Sequence, residues 1–192
     1  MRKLSHDEIS KNRSTLENID LVKKLPVTVL LNSIRSSYNV GSIFRTSDGA
    51  MIEKLILCGY TPHPPLNDSR EGNKDVLKTA LGSTESVKWE YIKNPIEAIK
   101  NLKEKGIKIC ALELTENSKP YYITEQYNFP MCLVVGNEIT GVSQEVLNLC
   151  DYSIEIPQYG IKQSLNVAVA YGIAIFELRK IFDKKQFTTS QP

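Results

Sequence analysis

Residues 27–59 read VTVLLNSIRSSYNVGSIFRTSDGAMIEKLILCG. VTVLLN (27–32) is short, apolar and rich in β-branched residues, the pattern of a buried strand. NVGSIFRTSDGAM (39–51) has a helical rhythm, and KLILCG (54–59) is the next strand. The alternation continues downstream. DVLKTALG reads as a short helix and SVKWEYI as an extended segment. NPIEAIKNLKEKG (94–106) is an amphipathic helix, with Asn94 as its cap, Pro95 at its first position and Gly106 at its end. IKICALEL (107–114), MCLVVGN (131–137) and YSIEIP (152–157) read as strands, and SQEVLNLC (143–150) as a short helix capped by Ser143. The last helix spans about 164–184 and is apolar on nearly every side up to Phe176, which predicts cover on more than one side. Strands alternating with helices predict an α/β fold with a mainly parallel sheet and helices on both faces.

Upstream, Ser5 and Glu8 have capping-box spacing, which predicts a helix over 5–24 that Pro26 ends. The expected division is a helical extension at 1–26, one domain at 27–184 and a flexible tail at 185–192. The 192 residues are 41% apolar and 24% charged, an ordinary globular mixture for one domain. Net charge is only +2, too little to announce a nucleic-acid binder. It is unevenly spread. Residues 1–109 hold 18 Lys and Arg against 13 Asp and Glu, residues 110–160 hold 1 against 7, and residues 161–192 hold 5 against 2. Two histidines and four scattered cysteines without a C-x-x-C pair argue against a metal site. The cysteines read as buried, reduced thiols of a cytoplasmic protein. The N-terminus has no apolar signal core, and the longest uncharged stretch, 163–176, is too short to span a bilayer.

In parallel sheets, ligands sit beyond the C-terminal strand ends. Three such ends are unusual here. The first offers Asn32, Arg35, Asn39, Gly41 and Arg45, with Asn39 placed to cap the helix that carries Arg45. The second is VVGNEITGVS (134–143). It nearly matches a phosphate-binding loop, but Val142 stands where the lysine is needed. A phosphate-handling hydrolase or kinase is therefore disfavoured. The third is IPQYGIKQSLNVAVAYG (156–172), where Ser164 can cap the last helix. Asn166 falls inside an apolar helix, where a polar side chain needs a partner. The loop GYTPHPPLNDSREGN (59–73) is long enough to suggest function. His63 within it is expected to be exposed. Tyr60, Tyr121, Tyr122 and Tyr159 are equal candidates for stacking on a base.

Together the three segments resemble the motifs of the SpoU/TrmH family of RNA 2′-O-ribose methyltransferases, of the SPOUT class. The matches are Asn39-x-Gly41-x-x-x-Arg45, then Gly136-x-Glu138-x-x-Gly141, then Ile156-Pro157-x-x-Gly160 with Ser164-Leu165-Asn166. They stand in the family's order between about Val27 and Leu178. No G-x-G-x-x-G follows the first strand, which disfavours a Rossmann-type methyltransferase. Ser37-Tyr38 and Gln158-Tyr159 depart from residues common in the family.

The resemblance implies a C-terminal trefoil knot, S-adenosylmethionine as cofactor, a homodimer, and tRNA or rRNA as partner. It implies catalytic roles for Arg45, Asn39, Glu138, Ser164 and Asn166. It places the cofactor against Leu112, Glu113, Gly136, Asn137, Gly141, Ile156, Pro157, Gln158, Ser164 and Leu165. Arg45 reads as a group that orients the 2′-hydroxyl, since a guanidinium with pKa above about 12 is a poor base. The competing expectation is an RNA-binding or assembly factor that keeps the fold without turnover.

Overall fold

The computed structural model describes residues 1–65, 72–123 and 127–189. Seven parallel strands form one sheet. They are β1 (Leu25–Asn32), β2 (Ile52–Cys58), β3 (Trp89–Ile92), β4 (Lys108–Leu112), β5 (Lys119–Pro120), β6 (Met131–Val135) and β7 (Tyr152–Glu155). Their order is β3-β2-β1-β6-β4-β7-β5. The chain winds outward from β1 through β2 to β3, then returns so that β6 lies against the other side of β1. The C-terminal ends of β1 and β6 therefore flank the point where the winding reverses, which is where open parallel sheets place their ligands.

Two apolar layers cover the sheet, because successive strand residues face opposite sides. On one side Val27, Val29, Leu31, Leu55, Leu57 and Leu133 meet Val40, Ile43 and Phe44 of α2 (Ser37–Ala50) and Tyr171, Ile175 and Leu178 of α7 (Val167–Thr189). On the other side Leu30, Ile56, Cys132 and Val134 meet Ala98, Ile99 and Leu102 of α5 (Pro95–Glu104) and Val146 of α6 (Gln144–Leu147). The short helices α3 (Lys74–Ala80) and α4 (Ser83–Ser86) pack beside α2. Buried strands on both faces explain why the sequence shows unbroken apolar runs rather than alternation.

Several expectations need correction. The N-terminal helix keeps its capping box, but α1 spans only His6–Lys11, followed by a 3-10 turn at Ile19–Leu21. Leu4, Leu16 and Leu21 stay exposed, so the helical periodicity upstream has no core to pack against. Strand β5 has two residues at the sheet edge and no sequence signature. Ser143 makes no side-chain cap bond. The last helix continues past Lys184 to Thr189, and within one chain its Val169 and Phe176 are about half exposed. His63 is half-buried, with its ring centroid 4.9 Å from that of Tyr91. Part of its loop, residues 66–71, lies outside the described residues.

All four cysteines are free. Burial pushes the Cys58 thiol up to about 12 and Cys150 up to about 11, so both stay protonated at neutral pH. Among the described residues, no helix is long and apolar enough to cross a membrane and no cluster of His, Cys, Asp and Glu is able to hold a metal ion.

Candidate active site

The turn after β6 organises the site. Asn137 and Gly141 exchange two backbone hydrogen bonds of 3.0 Å, and the Asn137 Oδ1 accepts from the amides of Ile139 and Thr140. A Cβ on Gly136 would stand 2.3 Å from the Val142 nitrogen and 2.4 Å from the Gly141 carbonyl carbon. Only glycine lets these backbones meet. Gly141 has φ +68°, and its missing Cβ leaves room for the Glu113 carboxylate. Glu113, at the end of β4, accepts from the Val142 amide at 2.8 Å and the Leu114 amide at 3.0 Å. It thereby ties the turn to the neighbouring strand end.

Glu138 faces the loop between β1 and α2. Its carboxylate accepts from the Arg35 amide (2.8 Å), the Ser36 amide (3.1 Å) and the Asn39 side-chain amide (2.8 Å). Burial works to raise the Glu138 pKa, but these hydrogen bonds outweigh it and hold the carboxyl below its ordinary value. The Asn39 Oδ1 in turn accepts from the Asn166 Nδ2 at 3.1 Å. Asn166 caps α7, its Oδ1 accepting from the Ala168 amide at 2.9 Å. The structure thus joins Glu138, Asn39 and Asn166, 127 residues apart at the extremes, into one hydrogen-bonded chain.

Two capping expectations change as a result. Ser36, not Asn39, caps α2, by accepting from the Asn39 amide. Asn166, not Ser164, caps α7. In each case the asparagine that looked like a local cap, or looked unsatisfied, finds its partner across the fold.

A cleft of about 610 Å³ opens beside this chain. Every position that the resemblance assigns to the cofactor lines it, as do Glu138 and Ser164. Asn39 and Asn166 stand just behind Glu138. Arg45 stands apart. It is exposed on α2, does not line the cleft and has no hydrogen bond or ion pair among the described residues. The cleft is of small-molecule size. Its apolar walls include Leu112, Ile156 and Leu165, the turn at Gly136 forms part of its floor, and three carboxylates (Glu113, Glu138, Glu155) oppose one cation, Lys162. Such a lining suits a flat heterocycle carried with a positive charge and repels a polyphosphate.

Two residues that spacing did not reveal, Ser33 and Thr61, complete the arrangement. Asn137 Nδ2 donates to the Ser33 carbonyl and to the Tyr60 hydroxyl, both at 2.8 Å. The single proton of the buried Thr61 hydroxyl is shared between the carbonyls of Cys58 (2.6 Å) and Leu31 (3.1 Å), and its oxygen accepts from the Ile34 amide.

Residues 26–176 match the SpoU rRNA Methylase family. The chain belongs to that family. Among its SpoU relatives, a tRNA (guanosine(18)-2′-O)-methyltransferase of Aquifex aeolicus is 31% identical over 179 residues, spanning 92% of this chain and 80% of that one. A crystal structure of an A. aeolicus TrmH/SpoU tRNA modifying enzyme superposes with a TM-score of 0.75 at 30% identity, covering 89% of this chain and 84% of that one. An AdoMet-bound rRNA methyltransferase from Sinorhizobium meliloti superposes at 0.68 with 27% identity, covering 82% of this chain and 60% of that one. The SpoU cofactor, S-adenosylmethionine, is the kind of molecule the cleft lining suits.

Proposed function

We propose that this chain transfers a methyl group from S-adenosylmethionine to a ribose 2′-hydroxyl of tRNA or rRNA, as a cytoplasmic homodimer. The observation that carries this reading is the Glu138–Asn39–Asn166 chain at the lip of a carboxylate-lined cleft, at the point where the sheet reverses. Bound in that cleft, the cofactor supplies a methyl group on a positively charged sulfur. Leu112, Ile156 and Leu165 hold its apolar parts, over a floor formed in part by the turn at Gly136. Glu113 and Glu138 bring negative charge to the cleft. Glu138 fixes the loop before α2, and with it Asn39 and the helix that carries Arg45. Arg45 donates hydrogen bonds to the 2′-oxygen and the adjacent phosphate, stabilising the oxygen as its proton leaves for solvent. Ser164, on the cleft wall and without a hydrogen-bond partner among the described residues, orients the ribose.

The exposed position of Arg45 fits a site completed by a second copy. Val169 and Phe176, seven residues apart, share one stripe of α7. That stripe abuts Gly49 of α2, one turn after Arg45. Pairing of two copies on this stripe covers the apolar side chains and carries Arg45 into the interface. A trefoil knot of the SPOUT type is part of the same proposal.

The test is calorimetric titration with S-adenosylmethionine, followed by methyl incorporation into total RNA from cells lacking this protein. Cofactor binding with 2′-O-methylation of a tRNA or rRNA is the expected outcome. Binding without incorporation into any RNA pool favours a non-catalytic RNA-binding factor, and no binding at all overturns the proposal.

A further inference from the structure

Resting on that reading, the geometry points to a nucleotide grip on the rim of the site, made by the ring of Tyr60 and the guanidinium of Arg35. We propose that Tyr60 stacks on a base of the RNA substrate and Arg35 binds a neighbouring phosphate. Tyr60 is 62% exposed, yet its hydroxyl is held by the Asn137 amide at 2.8 Å. That amide also holds the Ser33 carbonyl, so the ring is clamped to the loop that leads into Arg35. The hydroxyl accepts from Asn137, and its own proton remains to donate outward.

Arg35 has its backbone fixed by Glu138, while its side chain is exposed and has no partner among the described residues. A fixed backbone with a free guanidinium suits capture of an external anion. The two loops are locked as one platform. Thr61 bridges them through Leu31, Cys58 and Ile34. Ser33 and Gly59 both have left-handed backbones (φ +60° and +65°), and a Cβ on Gly59 would meet the Ser33 hydroxyl at 2.2 Å. Holding a serine in this region has an energetic cost, which structures accept where a site needs it.

Other exposed tyrosines lack this support. Among the described residues, the Tyr159 hydroxyl, on a ring 92% exposed, has no hydrogen bond, and Tyr122 meets only its neighbour Tyr121, edge-on. An aromatic ring for a base and a cation for a phosphate on one fixed platform are the usual composition of a single-strand RNA site.

Three variants test the grip: Tyr60→Leu, Tyr60→Phe and Arg35→Gln. The probes are S-adenosylmethionine and total RNA from cells lacking the protein. Tyr60→Leu is expected to raise the apparent KM for RNA about tenfold, the size of a lost stacking contact, with cofactor affinity unchanged. Tyr60→Phe should recover most of that loss. Arg35→Gln should weaken RNA binding and reduce the slope of log K against log salt by about 0.7–0.9, the signature of one lost phosphate contact. An unchanged KM in Tyr60→Leu, or a loss of cofactor affinity in step with it, overturns the stacking role. An unchanged salt slope in Arg35→Gln overturns the phosphate role. Binding slopes are read whether or not methylation occurs, so failure of the grip and failure of the methyl-transfer reading give different results.

Discussion

Replacing Glu138 by alanine removes three hydrogen bonds at once, to the Arg35 amide, the Ser36 amide and the Asn39 side chain. A bond to a charged acceptor contributes about 1.5–3 kcal/mol. Water reaches the Arg35 end, so the lower figure applies, and the three together come to about 4.5 kcal/mol. At about 2–4 °C per kcal/mol for a chain of this size, Tm falls by about 9–18 °C. Thermal unfolding followed by circular dichroism reads this directly. Turnover should fall about 100-fold even at temperatures where the variant is folded, because Asn39 and the start of α2 lose their reference point. Glu138→Gln keeps one accepting oxygen but turns an NH₂ toward a donor, and should lose about half as much stability. The pH dependence has a defined sign. Hydrogen bonds hold the Glu138 carboxyl below its ordinary value of 4.5. Its contribution is therefore complete above that value and is lost as pH falls through the lower folded pKa. The acid limb of the stability profile should be shallower in Glu138→Gln than in the parent. If Glu138→Ala melts with the parent and keeps its turnover, the hydrogen-bonded chain does not organise the site, and the reasoning built on it fails.

Three further expectations follow from other parts of the site. Arg45→Ala should abolish methyl transfer while calorimetry shows unchanged cofactor affinity, since Arg45 touches neither the cleft nor the core; near-normal turnover would remove it from the mechanism. Gly136→Ala should cost about 1–3 kcal/mol or more, because its Cβ meets backbone that has no room to yield, and cofactor affinity should drop with it. Phe176→Glu should convert a dimer to a monomer in sedimentation velocity with little change in helix content, and a species of unchanged mass would exclude this stripe as the interface.

Much of the architecture is legible in the sequence because it rests on local patterns. Apolar runs such as VTVLLN and MCLVV are buried on both faces and need no knowledge of their neighbours to be read as strands. The helix between Asn94 and Gly106 carries its own start and stop. Misreadings occur where the deciding partner is distant. Ser5 and Glu8 start a helix correctly, but where it ends depends on a core that the extension never reaches. Asn39 looked like a local matter of capping, and Asn166 like a polar side chain in need of a partner. Their side chains instead meet each other across 127 residues, and Ser36, an unremarked neighbour, takes the cap of α2. Glu113 was legible as a cleft residue, but its hold on the Val142 amide was not. Tyr60 and Arg35 carry no spacing signal, because the groups that fix them lie 77 and 103 residues away in the turn after β6.

The contact between Asn39 and Asn166 has an electrostatic consequence. Contacts between α2 and α7 advance together along both chains, from Asn39 with Asn166, through Ser47 with Tyr171, to Gly49 with Phe176. The two helices run parallel, and both begin beside Glu138. Each helix start carries roughly half a unit of positive charge from its aligned peptide dipoles. Two of them together approach one unit, set against the single negative charge of Glu138. The Glu138 carboxylate thus meets a field made of backbone, which does not titrate and cannot be removed by substituting a side chain. The fold itself balances this partly buried negative charge before any cationic side chain arrives.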